Sequence, residues 1–339
     1  MAPSSPTGTV IIADGGLATE LEEQGHDLSD RLWSARLLTD APEAIRAAHL
    51  AYFRAGAMIA TTASYQASFA GFAARGIDSG EAARLLRRSV TLAREARTEL
   101  AGDGRQRWVA ASVGPYGATL GGGQEYIGRY GRSVRQLRDW HRPRAEILAE
   151  AGADLLAVET IPDVDEAQAV VSVVSELGMP SWLAYTISGD HTRAGQPLRE
   201  AFAVAAGIPQ IVAVGVNCCA PSDVAAAVSL AAEVTGKPVI AYPNSGEAWD
   251  ARRRVWAGRP RPPFQDLAAQ WVASGARIVG GCCRVTPSDI TKISRAVGGT
   301  AHSSGAQARR GGRRELSSVV DVVSRGRVRL TRYLPAFRT

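Results

Sequence analysis

Eight short apolar runs, each divided from the next by a helix-forming stretch, limit what this 339-residue chain can fold into. The runs occupy residues 9–13 (TVIIA), 57–62 (AMIATT), 108–113 (WVAASV) and 154–160 (DLLAVET). Four more lie at 181–186 (SWLAYT), 210–217 (QIVAVGVN), 237–242 (KPVIAY) and 276–281 (ARIVGG). Their apolar character is continuous, as expected of parallel strands covered on both faces. Amphipathic stretches at 42–56, 79–100, 134–152, 164–177 and 222–234 read as helices. Several end in Gly directly before the next run, a helix stop followed by a strand start. Pro143 lies within the third of them and is expected to break or kink it. Eight such units predict an α/β fold, a closed (β/α)8 TIM barrel, in preference to an open doubly wound sheet. No GxGxxG follows the first run, so a dinucleotide fingerprint is missing.

Charge sets the domain organisation. The net charge of +6 hints at a polyanion partner, but nine Arg and only two acids fall in residues 301–339. Residues 1–300 then hold 30 basic and 31 acidic groups, a net of −1. The chain is therefore divided into a barrel domain, 1–300, and an Arg-rich, poorly ordered tail, 301–339. A nucleic-acid partner is not expected of the body. No apolar run reaches the roughly 20 residues of a membrane span. The start, MAPSSPTGTV, lacks the basic and apolar regions of a signal peptide. These features predict a cytoplasmic protein.

In barrels of this kind, chemistry gathers where strands end. The residues at those positions are Asp14-Gly15-Gly16, Thr61-Thr62, Gly114-Pro115-Tyr116, Glu159-Thr160, Thr186, Asn217-Cys218-Cys219, Tyr242-Pro243-Asn244 and Cys282-Cys283. The four cysteines of the chain thus form two adjacent pairs, after the sixth and eighth runs, converging on one mouth. Thiolates in that arrangement suit zinc, with one ligand from the first pair and two from the second. Buried core thiols and a metal-free redox dithiol remain open alternatives. The five histidines (26, 49, 141, 191, 302) show no HExxH-like clustering, which disfavours a zinc hydrolase.

The chain resembles the homocysteine S-methyltransferases, zinc-dependent thiol methyltransferases of (β/α)8 fold. The resemblance rests on ADGGLATELE (13–22), TTASYQAS (61–68), VGPYGATLGGGQEYIGRY (113–130), VETIP (158–162), VGVNC (214–218), YPNSGE (242–247) and GGCCRVTP (280–287). It implies that Cys218, Cys282 and Cys283 hold the zinc, with Cys219 a neighbouring free thiol. It also implies that Asp14 and Glu159 hold the ammonium of homocysteine, that the Gly15 and Gly16 amides take its carboxylate, and that Asn217 adjoins the substrate. Without the resemblance, Asp14-Gly15 reads equally as a plain turn and Glu159 as a helix-capping acid. Two departures bear on the methyl donor. Ala63 stands where many relatives have Asn, and the loop LGGGQEY keeps Glu125 as its one acid.

The implied reaction is attack of a zinc-activated homocysteine thiolate on the methyl of a sulfonium, giving methionine. S-methylmethionine is the expected donor, S-adenosylmethionine a weaker one. Betaine as donor and selenocysteine as acceptor are the alternatives within the same chemistry. Tyr65, Tyr116, Tyr126, Trp182 and Tyr242 are candidate cation–π partners of the sulfonium, each also readable as packing.

Overall fold

The computed structural model describes residues 9–28, 32–250, 255–257 and 263–298. Eight parallel strands surround one axis: β1 (Ile11–Ile12), β2 (Ile59–Thr61), β3 (Trp108–Val113), β4 (Leu155–Ile161), β5 (Ser181–Tyr185), β6 (Ile211–Asn217), β7 (Val239–Tyr242) and β8 (Ala276–Val279). Their spatial order is β1-β8-β7-β6-β5-β4-β3-β2. A single bridge between Ala13 and Ile59, with Met58 N donating to Ile12 O at 2.7 Å, closes the ring. The architecture is a (β/α)8 barrel. Each of the eight apolar runs carries one strand; six are trimmed, β3 fills its run, and β4 continues one residue beyond its run to Ile161.

Why these runs are apolar throughout follows from the alternation of side chains along a strand. One set fills the barrel interior: Ile11, Ala13, Ile59, Trp108, Ala110, Leu155, Ala157, Trp182, Ala184, Ala213, Ile240 and Ile278. The alternate set, including Ile12, Ala60, Val109, Leu156, Leu183, Val214, Val239 and Val279, packs outward under the helices. Gly215 has no room for a side chain, since a Cβ there would stand 1.8 Å from Ile240 O on β7.

The expected break at Pro143 does not occur. A single helix runs Val134–Glu150 straight through it. Ser133 and Gln136 form a capping box that fixes its start. The helix also buries Leu137, His141, Arg144, Ala145 and Leu148, which offsets the one backbone bond that proline removes. The tail 301–339 lies outside the described residues. Among those residues, no helix is long and apolar enough to cross a membrane.

Candidate metal and substrate site at the barrel mouth

The interior alternation, carried one step further, builds a polar layer at the strand ends. Ile59 leads to Thr61, Ala110 to Ser112, Ala157 to Glu159, Gly215 to Asn217 and Ile240 to Tyr242. Three of these side chains, Ser112, Glu159 and Tyr242, join one another. Ser112 Oγ and Tyr242 Oη (3.1 Å) both donate to the Glu159 carboxylate, and Trp182 Nε1 donates to Tyr242 Oη at 2.9 Å. Across the barrel seam, the Thr61 backbone N–H and hydroxyl donate to the two oxygens of Asp14, at 2.6 and 2.9 Å. Ser112 and Thr61 have no sequence signature beyond polarity at a strand end, and Ser112 escaped the sequence reading altogether.

Burial raises both acids. It pushes Asp14 up to about 8, against the hydrogen bonds of Thr61 and with a further push from Glu159. It pushes Glu159 up to about 7, against the hydrogen bonds of Ser112 and Tyr242. Two carboxyls so placed favour a cation as their partner.

The cysteines converge as expected. The sulfurs of Cys218, Cys282 and Cys283 all lie within 4.8 Å of one another. Three thiolates about 2.3 Å from one tetrahedral zinc stand about 3.8 Å apart, so the cluster fits such an ion. In this structure Cys218 and Cys282 are joined as a disulfide, the oxidised form of two of these three sulfurs. Burial pushes the Cys283 thiol up to about 12, with the charge of Glu125 adding to the effect. A thiol in those surroundings needs a cation to ionise. Cys219 is buried, and its thiol is likewise raised to about 12 by burial first and then Asp223.

The loop YPNSGE holds the cysteines in place through the backbone. Cys218 N donates to Tyr242 O (3.3 Å), Cys282 N to Pro243 O (2.8 Å) and Ser245 N to Cys283 O (3.1 Å). Asn244 Oδ1 accepts from Cys283 N at 3.2 Å. Among the described residues, three of the four non-glycine residues with left-handed backbone sit here: Thr160 (φ 56°), Cys218 (φ 47°) and Arg284 (φ 61°). Such conformations cost about 1–3 kcal/mol each and concentrate where a side chain must be aimed.

Two expected substrate contacts look different in the structure. The Asn217 amide is buried and bonded to Thr160, accepting from its N–H and donating to its hydroxyl, both at 2.7 Å. Its reach to the mouth therefore passes through Thr160, whose strained backbone it holds beside Glu159. The Gly16 amide donates to Val285 O at 3.0 Å, which leaves Gly15 as the one of the pair without a protein acceptor among the described residues. Both glycines are required by close packing. A Cβ on Gly15 would meet Val285 O at 2.3 Å, and one on Gly16 would meet Cys282 O at 2.6 Å. Trp182 is only 1% exposed in the barrel interior, a packing position, while Tyr242 is a hydrogen-bond donor to Glu159.

The far side of the mouth is a long loop between β3 and the helix Val134–Glu150, turned by left-handed Gly121, Gly122, Gly123, Gly128 and Gly131. Within it Glu125 is buried, and Tyr126 neighbours the Cys283 thiol. Arg193, after β5, stands over the Tyr126 ring at 5.7 Å. Behind the loop, fully buried Arg144 donates to Gly114 O and, more weakly, to Tyr65 O (3.4 Å) and Ala67 O (3.5 Å). His141 lies 3.2 Å from Arg144 through Nδ1 and 2.8 Å from Glu166 through Nε2. Glu166 in turn accepts from Tyr116 N at 2.6 Å. No sequence signal marks Arg144, which reads as one more basic residue of an Arg-rich helix.

Comparison with known proteins agrees with this geometry. Residues 11–297 match the sequence model of the family described as homocysteine S-methyltransferase. A homocysteine S-methyltransferase of Escherichia coli is 46% identical over 291 residues, covering 84% of this chain and 94% of that one. A selenocysteine Se-methyltransferase of Brassica oleracea is 42% identical, covering 85% of this chain and 89% of that one. A crystal structure of the Escherichia coli homocysteine methyltransferase in its metallated form superposes with a TM-score of 0.77 at 44% identity, over 85% of this chain and 96% of that one.

Proposed function

The chain belongs to the homocysteine S-methyltransferase family and is a methyltransferase, and from that premise we propose that it moves a methyl group from a sulfonium donor to homocysteine, giving methionine. The observation that carries this reading is a cup of three cysteine sulfurs, within 4.8 Å of one another, at the same mouth as the buried acids Asp14 and Glu159. Cys218, Cys282 and Cys283, once reduced, would hold zinc, which three thiolates with one open position suit. When bound, zinc supplies the Lewis acidity that favours a substrate thiolate over its thiol near neutral pH.

The chain's own residues do the rest. Asp14 and Glu159 take the acceptor's ammonium, and the ionised form of each is restored by that charge. The Gly15 amide faces the acceptor's carboxylate. Asn217, through Thr160, holds the end of β4 so that Glu159 keeps its direction. The acceptor sulfur forms a bond to the methyl carbon while the donor's sulfur–methyl bond breaks. The electron pair of that bond stays on the donor sulfur, and the thiol proton leaves to solvent. The donor's positive charge disappears in the step, so the protein's main contribution is to hold two amino acids in line.

Selenocysteine is the second acceptor to consider, because a relative 42% identical is a selenocysteine Se-methyltransferase. Metal analysis of reduced protein, followed by methionine formation with S-methylmethionine, S-adenosylmethionine and betaine offered separately, tests the proposal. One zinc per chain with a preference for a sulfonium is expected. Protein without zinc and without turnover on any donor would overturn it.

A further inference from the structure

A buried polar cluster lies behind the mouth and belongs neither to the metal cup nor to the acceptor's acids. Arg144, His141 and Glu166 are each at most 1% exposed. Burial, and then the Arg144 charge, holds His141 well below its usual range, so its ring is neutral. A guanidinium can only donate, so the 3.2 Å contact from Arg144 Nη2 makes His141 Nδ1 an acceptor and leaves the ring proton on Nε2. That proton is donated to Glu166 Oε1 at 2.8 Å, and the same oxygen accepts from Tyr116 N at 2.6 Å.

The two ends of this chain of bonds meet at one turn. Arg144 donates to Gly114 O while Glu166 accepts from Tyr116 N, so Gly114-Pro115-Tyr116 is held on both sides of its proline. The longer guanidinium contacts, to Tyr65 O (3.4 Å) and Ala67 O (3.5 Å), hold the segment after β2. The two held segments also touch directly, since a Cβ on Gly114 would stand 2.6 Å from Tyr65 Cδ2.

Both segments lead to the mouth. The Tyr65 side chain is partly exposed and feels the charges of Glu125 and Glu159. Tyr116 opens the short helix Tyr116–Leu120, and its ring packs edge-on against Tyr130 (5.4 Å) and Trp140 (5.1 Å). The same loop continues to Tyr126, beside the Cys283 thiol. A buried charge gives little net stability over an apolar side chain of its size; what a forked guanidinium adds is direction.

We infer that Arg144, backed by His141 and Glu166, is a positioning residue for methyl transfer: by clamping the turn Gly114-Pro115-Tyr116 and the Tyr65 segment together, it sets where the β3 loop and the Tyr65 ring stand against the metal cup. This rests on the proposed reaction. Asp14 and the cup have their own supports, in Thr61 and in the YPNSGE loop, so the clamp acts on the alignment of the two substrates and not on zinc or acceptor binding.

The test uses the full-length, zinc-supplied protein and two variants. Arg144→Lys keeps the charge and loses the fork; Glu166→Gln keeps an oxygen for Tyr116 N and loses the charge. Methionine formation from homocysteine and S-methylmethionine is measured per bound zinc. Arg144→Lys is expected to lower kcat by about ten- to hundredfold, with zinc stoichiometry and homocysteine KM within about twofold of the wild type. Glu166→Gln should lower kcat by up to about tenfold, and the double variant should be no slower than Arg144→Lys, because both act through one turn. Hydrogen exchange followed by mass spectrometry should quicken in residues 61–68 and 113–133 alone. An unchanged kcat per zinc, a loss confined to zinc content or homocysteine KM, a double variant as slow as the product of the two, or exchange quickened across the whole barrel, as a merely structural role gives, overturns the inference. Should Arg144→Lys not fold, Glu166→Gln decides alone. If the wild type forms no methionine from any donor, the proposed reaction itself fails. The exchange pattern then still decides: quickening confined to the two segments sustains the clamp, and uniform or absent quickening removes it.

Discussion

The two sides of the barrel mouth are built in opposite ways. On one side, Asp14 and Glu159 sit at strand ends and have both carboxylate oxygens engaged, by Thr61 and by Ser112 and Tyr242. On the other, Glu125 rides a loop bent by left-handed glycines and keeps an oxygen without a partner. The first side is pre-set by the same alternation that packs the barrel core. The second is a separate insertion between β3 and the helix Val134–Glu150. Strand ends can be altered only at the expense of the core, whereas a loop of this kind can change without unpicking it.

The largest expected effect lies between the two sides, at the cup itself. Cys282→Ala or Cys283→Ala should abolish zinc retention and lower turnover by at least about a hundredfold, checked by metal analysis and methionine formation on the same sample. Full activity in a zinc-free variant would remove the cup from the reaction. Asp14→Asn comes next and sharpens the contrast. Homocysteine KM should rise about ten- to hundredfold while donor KM stays put, because a charge-assisted contact is lost on the acceptor side only. The pH dependence of binding follows from the same group. Asp14 and Glu159, raised to about 8 and about 7, become anionic as pH climbs through that range. Homocysteine affinity, measured by calorimetry in the absence of donor, should therefore increase from pH 6 to 8.

The sign for stability is the reverse. Each acid has a folded pKa above its unfolded one, so the unfolded chain releases its proton first and stability falls as pH rises from about 4 towards the folded values. Asp14→Asn should flatten that decline in a thermal-melt series. Thr61→Val keeps the backbone donor to Asp14 and loses the hydroxyl. It is expected to raise homocysteine KM by no more than about tenfold, with a steady-state assay as the check. Smallest of all is Cys219→Ala. A buried thiol outside the cup should cost about 1 kcal/mol of stability and leave zinc stoichiometry unchanged in metal analysis.

Much of the scaffold was legible because strands covered on both faces are apolar from end to end, and all eight runs carry a strand. Their limits were not. Residues 9–13 shrink to Ile11–Ile12, with Ala13 joined only by the single bridge that closes the ring. Pro143 misled for a related reason: local propensity counts the lost bond and cannot see the buried face that keeps the helix whole. At the site, the cysteine doublets announced themselves by being the chain's whole thiol content. Asn217 and Gly16 were visible as residues but not as hydrogen bonds, which run to Thr160 and to Val285. Ser112 and Arg144 carried no signal at all, because what distinguishes them is the neighbour each meets in space.

Arg144 has a consequence for how sequences of this fold can diverge. One guanidinium grips carbonyls of the segments that follow both β2 and β3, so those two loops share an anchor. A change that reshapes one of them is inherited by the other. Loop transplants from a relative should therefore succeed as a pair, with the Arg144 helix carried along, and fail singly. The history of this mouth would then be written in matched substitutions, in which neither loop drifts alone.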